Sequence, residues 1–86
     1  MTIHLVEKQR ERLRRAAGLL AVEHHAAGST PDGMSIQAHA ESIYQDGIHQ
    51  AEDTAAAGAM SWVAAATLIV STYEQLITDM QEAGKP

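Results

Sequence analysis

Three sets of side chains in this sequence are of types that could do chemistry: the histidines, an arginine-rich run near the start, and scattered carboxylates. The histidines are His4, His24, His25, His39 and His49. Two imidazoles brought together by packed helices, with Glu23, Glu41 or Glu52 as carboxylates, would suit a divalent metal ion. His49 and Glu52 have the i, i+3 spacing that lets two helical side chains share a ligand. A carboxylate-bridged metal bundle, however, draws on Glu-x-x-His motifs with further glutamates facing inward. This sequence has no Glu-x-x-His, and no Glu stands in the middle of an apolar row. His49 lies opposite the Ile36–Ile43 row and reads as solvated. His24 takes the next core position after Leu13 and Leu20. A partly buried, hydrogen-bonded neutral imidazole near a hairpin tip is the simpler reading for it. A metal-binding bundle ranks third among the functions considered, and no metal or cofactor is expected.

Nucleophilic catalysis finds little footing. There is no cysteine, and no Gly-x-Ser-x-Gly elbow to expose a serine. Glu52 and Asp53 are sequence neighbours that diverge on a helix, so they cannot flank one substrate. Gly33, Gly47 and Gly58 are isolated and form no phosphate-cradling loop. The expectation is a protein that is not an enzyme.

The cations are concentrated. Lys8, Arg10, Arg12, Arg14 and Arg15 stand against Glu7 and Glu11, a net of +3 over residues 1–15. Lys85 alone stands against nine acids in the remainder, a net of −8, and the whole chain carries −5. Such asymmetry implies either an interaction patch or pairing of the basic end with an acidic surface. As a nucleic-acid contact the run is interrupted by Glu7 and Glu11 and lacks interleaved aromatics. The turn that follows is too long, and contains proline, for a helix-turn-helix joint. A nucleic-acid-binding regulator is therefore the second reading. The plainest reading of the run is a solvated helix face with a Glu11–Arg15 pair. As a functional reading, the first is an anionic protein target, met by Lys8, Arg10, Arg12, Arg14 and Arg15, because a guanidinium fork can bond a carboxylate twice.

The elements that must carry these groups are helices. Val6, Leu13, Ala17 and Leu20 form one helical row, with Leu5, Ala16 and Ala27 beside it, so helix 1 is expected over about 2–27 with Thr2 as its cap. Leu19 and Val22 fall on a second side, leaving more apolar surface than one contact needs. Gly18, with Ala17 and Ala21, makes a low-relief strip for another backbone. The turn spans 28–34, where Gly28, Pro31 and Gly33 break the helix and Thr30 or Ser35 can cap the next one. So short a connection makes a helical hairpin. Helix 2, about 35–50, carries Ile36, Ala40, Ile43 and Gly47, with Tyr44 on the flank.

The stretch Thr54–Met80 organises the rest. Val63, Ala66, Val70, Tyr73, Ile77 and Met80 step by three and four, while Trp62, Ile69 and Leu76 step by seven beside them. The two rows span an arc of about 140°, wider than a surface helix normally buries. They are out of phase with the Ile36 row. A break is therefore expected between Asp46 and Thr54, with helix 3 over about 54–83, ending at Gly84-Lys85-Pro86. A single helix from Ser35 to Ala83 is the alternative. The alanine tract Ala55–Ala59 is expected to approach the Ala16–Ala21 strip or its own symmetry mate.

Eighty-six residues make one all-α domain, and Val, Ile and Leu total only 16 in a chain with no Phe. So thin a core calls for a partner subunit. A homodimer is expected through Trp62, Val63, Ile69, Val70, Leu76 and Ile77. The uncharged segment from Thr54 to Tyr73 is membrane-length, yet it is rich in Ala, Thr, Ser and Gly and flanked by acids, so no membrane span is expected. No signal peptide is visible and nothing calls for an oxidising compartment, which makes the cytoplasm the expected location. In size and charge alone the chain resembles phage and mobile-element inhibitors of host enzymes or defence systems, anti-CRISPR proteins included. The function expected is that of a regulator, adaptor or inhibitor that binds another protein's surface.

Overall fold

The protein was analysed as a computed structural model that describes residues 2–84; the side chains of Thr2 and Ile3 lie outside the description, as do Met1, Lys85 and Pro86. The capping role expected of Thr2 and the terminal signals at Lys85 and Pro86 therefore fall outside it. Three helices, α1 (Thr2–Ala26), α2 (Ile36–Gly58) and α3 (Trp62–Ala83), each pack on the other two. The result is an all-α bundle of 42 × 28 × 23 Å. No strand occurs among the described residues.

The α1–α2 hairpin forms as its sequence directs. Gly28 (φ 74°) takes the left-handed conformation that ends α1, and the Ser29 N–H donates to the His24 carbonyl at 2.8 Å. Pro31 opens a turn closed by the Met34 N–H at 3.1 Å, with Gly33 (φ 77°) at the position that needs positive φ. Ser35, not Thr30, caps α2: its hydroxyl accepts from the Ala38 N–H at 3.0 Å. The pairs His24–His39, Arg14–Tyr44 and Leu13–Gly47 run in opposite directions along the two helices, which makes them antiparallel.

The expected break between Asp46 and Thr54 is absent. Helix α2 continues through both to Gly58, and α3 begins at Trp62 rather than at Thr54. The turn at 59–61 likewise rules out one helix from Ser35 to Ala83. Two local interactions place the turn there. Ala59 adopts a left-handed conformation (φ 52°, ψ 38°), its N–H still donating to the Ala55 carbonyl, and Ser61 caps α3 by accepting from Ala64 N–H at 3.1 Å. Without a side-chain-free residue at 59, the left-handed cap is strained by about 1 kcal/mol. The row of α2 did not end at Gly47. It runs on through Ala51, fully buried, and half-buried Ala55, residues too small to stand out in a hydropathy pattern.

The core divides in two. The larger part joins Leu13, Ala16, Ala17 and Leu20 of α1 to Tyr44 of α2 and Val70, Tyr73 and Ile77 of α3. The smaller is Ala51 against Ala65 and Ala66, edged by Ala55, Met60, Trp62 and Ile69. The alanine tract thus meets the start of α3, not the Ala16–Ala21 strip. Buried Tyr73 keeps its hydroxyl satisfied, donating to the Ile43 carbonyl at 3.4 Å and accepting from Gln50 at 3.3 Å. Burial first, and Asp46 second, push its phenol pKa up.

Two glycines in helix interiors behave oppositely. A Cβ at Gly47 would lie 2.9 and 3.0 Å from the methyls of Leu13 and 3.2 Å from the Tyr73 ring, whereas one at Gly18 would meet nothing within 4 Å. Gly47 is therefore a close-approach position, and Gly18 does not serve the approach expected of it. Leu13 is fully buried, so its methyls have little room to move aside. Gly18→Ala should stabilise the protein by roughly 1 kcal/mol through helix propensity. Gly47→Ala gains the same term but meets an overpacking cost of about 1–3 kcal/mol, so it should destabilise. Denaturant titration of the two variants checks this. A Gly47→Ala protein as stable as Gly18→Ala would show that Leu13 can rearrange.

Candidate interaction surface

The basic helix is the densest charged feature, and the structure divides its cations between two sides. At about 100° per residue, Lys8, Arg12 and Arg15 share one side of α1, while Arg10 and Arg14 lie roughly half a turn away. The five do not form one surface.

Arg10 and Arg14 are held within the chain. The Arg14 guanidinium donates to Glu41 of α2 at 3.0 Å and stacks 4.0 Å from the centroid of Tyr44. Arg10 lies over the Trp62 ring at 5.7 Å, at the start of α3. Arg12 donates to Glu74 of α3 at 3.2 Å and to Gln9 at 3.4 Å, and at 37% side-chain exposure it is more covered than Arg14 at 60%. Lys8 and Arg15 are exposed and have no side-chain partner among the described residues. The pairing of the basic end with acids elsewhere thus accounts for part of the charge asymmetry. Its partners, Glu41 and Glu74, are 27 and 62 residues away in sequence, beyond the reach of any local pattern.

The apolar residues expected at a subunit interface are also divided. Val70 and Ile77 belong to the core of the single chain, at 0% and 7% exposure, and so cannot meet a second subunit. Trp62, Val63 and Ile69 are half-buried, and Leu76 is 45% exposed. The broad apolar arc of α3 is mostly covered by α1 and α2 together, which is why it needs no second chain over most of its width. Leu76 and Leu68 border a depression of about 380 Å³ with Ser71, Thr72 and Gln75, all from α3.

On α1, Leu5, Leu19 and Val22 are about half exposed. The second apolar side expected from Leu19 and Val22 is therefore real. Leu5, in the first turns of α1 and expected beside the core row, is exposed as well.

The histidines stay apart from any ligand cluster. His24 and His39 are neighbours, with ring centroids 5.3 Å apart, and the His24 imidazole lies 3.5 Å from the Ser29 hydroxyl at the hairpin tip. Among the described residues, no group of three or more His, Asp or Glu is placed to hold a metal ion. His49 and Glu52 are both exposed. No described helix is long and apolar enough to cross a membrane.

No protein-family model matches the chain, and no curated protein and no solved structure does.

The Glu41 carboxylate accepts from Gln45 one turn along α2 at 3.0 Å and from Arg14 across the helix pair. These bonds, Gln45 first and Arg14 second, hold its pKa below the usual carboxylate range, and the same pair raises that of Arg14. A carboxyl with a depressed folded-state pKa adds stability above its unfolded value of about 4.3, and that contribution is lost as pH falls through the folded value. Glu41→Gln should therefore lower stability at neutral pH and match the parent in acid. Solvent keeps the effect small, and salt should shrink it further. Denaturant midpoints of both proteins across this pH range test the sign; an equal deficit at every pH would mean the carboxylate charge is not involved.

Proposed function

We propose that this chain is a non-enzymatic binding protein, a small regulator, adaptor or inhibitor that acts by covering part of another protein's surface. The observation that carries the reading is the outer side of α1. There Lys8 and Arg15 stay exposed beside half-exposed Leu5, Leu19 and Val22, while Arg10 and Arg14 are occupied within the chain. Exposed aliphatics scattered singly are ordinary, but aliphatics grouped on one helix side with exposed cations that form no ion pair among the described residues mark an interaction surface. The inhibitor form of the reading rests on the small size and acidic balance noted above.

The nucleic-acid reading relies on the same cations, so one comparison separates the two. Photo-crosslinkable groups placed beside Lys8 and Arg15 should capture a discrete protein in extract of the source cells. Mixed-sequence duplex DNA should not bind at physiological salt. Submicromolar DNA binding there, falling with salt by a log–log slope of roughly −0.9 per phosphate contacted, would replace the first reading by the second.

A homodimer remains part of the proposal, now attached to Leu68 and Leu76, the exposed leucines of α3 at 53% and 45%. Replacing both with Asp should give a folded monomer by sedimentation, because neither fills the core of a single chain. Val70→Asp should unfold the chain outright, since it would place a charge in a site with 0% exposure. A parent protein that sediments as a monomer at micromolar concentration removes the dimer and leaves the surface-binding reading in place.

A further inference from the structure

We infer that the outer side of α1 is a docking seam for an acidic amphipathic helix of another protein. This deepens the surface-binding reading and rests on it. The seam consists of Leu5, Lys8, Arg12, Arg15, Leu19 and Val22. Their spacing of three, four, three, four and three residues is that of the a and d positions of a coiled coil. On α1 these six fall within an arc of about 100° and extend over roughly 26 Å, the length of a five-turn helix. They are turned away from the Leu13 and Leu20 side that fills the core.

The order of residue types along the stripe specifies the occupant. Half-exposed leucine or valine stands at both ends, and three cations fill the middle. A complementary helix therefore carries apolar residues at its ends and carboxylates at its centre. The middle is partly pre-organised. Glu74 and Gln9 each take one terminal nitrogen of Arg12, which fixes the guanidinium on the stripe and leaves N–H groups for a further carboxylate. Lys8 and Arg15 flank it, each on a neighbouring turn and without a partner among the described residues.

Other occupants fit less well. Two copies of the seam, paired parallel, would set each cation against itself. Paired antiparallel about the midpoint, they would set Arg12 against Arg15. Either arrangement juxtaposes like charges, which costs affinity. The α3 depression of a second copy presents Leu68, Ser71, Thr72, Gln75 and Leu76, with no carboxylate to meet the cations. A phosphate backbone would leave the leucines without a role.

The test uses the full-length chain and a labelled synthetic helix with Glu at its three central seam positions and Leu at its ends. A matched peptide with Lys at the central positions is the control, and fluorescence anisotropy is the readout. The Glu peptide should bind, and more weakly as salt rises, while the Lys peptide should not. Lys8→Glu with Arg15→Glu should weaken binding about tenfold or more, and so should Leu19→Ser. Arg14→Gln, on the other side of α1, should leave it unchanged. All these residues are exposed, and circular dichroism confirms that each variant folds. Equal binding of both peptides, no binding of the Glu peptide, or indifference to the seam variants would overturn the proposal. So would self-association abolished by Leu19→Ser, which would assign the seam to a second copy. Loss of the seam with continued capture of a cellular protein leaves the broader reading standing. Absence of any captured protein removes that reading as well.

Discussion

Leu13 occupies the point where all three helices meet. It is fully buried, its methyls rest against the backbone of Gly47, and the ring of Tyr73 closes the same space from α3. A leucine can enter so far only because α2 has no side chain at that level. Tyr73 in turn has its hydroxyl tied to the Ile43 carbonyl of α2. One contact therefore sets the distance between α1 and α2 and the position of α3 against both. Among the described residues, Leu13 and Val70 are the largest side chains removed completely from water, each contributing about 1.5–3 kcal/mol by burial. Leu20, Tyr44, Tyr73 and Ile77 supply most of the remaining buried side-chain surface, and the buried alanines fix close backbone approach but add little energy each. A protein built this way has few places where packing can be lost without loss of the fold.

That close approach also determines what becomes of the basic helix. With α1 pressed against both neighbours, its long cations on either flank reach acids and rings across the joints: Glu41 and Tyr44 of α2, Glu74 and Trp62 of α3. These contacts are exposed and individually weak. They tie Arg14 to Glu41, set Arg10 over Trp62 and orient Arg12 toward Glu74 without burying Arg10 or Arg14, while Lys8 and Arg15 on the other side of α1 form no such contact among the described residues. The proposed function depends on that division of the cations between two sides of α1 more than on the total charge.

Much of this protein was legible from its residues in order. The all-α class and the hairpin follow from helical periodicity and from Gly28, Pro31, Gly33 and Ser35, all of which act through their immediate neighbours. The burial of Leu13, Leu20 and Tyr73 was equally plain from their helical spacing, whereas Val70 and Ile77, expected at a subunit interface, fill the core of the single chain. Tertiary structure decided the rest. The end of α2 was hidden because its row continued in alanines, and because a non-glycine residue took the left-handed cap. Gly47 read as a member of the α2 row, and only the arrival of Leu13 from another helix shows why a glycine is there. The destinations of the arginines depended on acids dozens of residues away, and the covering of α3 on which two helices of the same chain lay against it. Periodicity and capping are short-range effects that a sequence displays directly. Which faces meet, and which charges remain in water, is settled by packing between segments that the sequence does not place side by side.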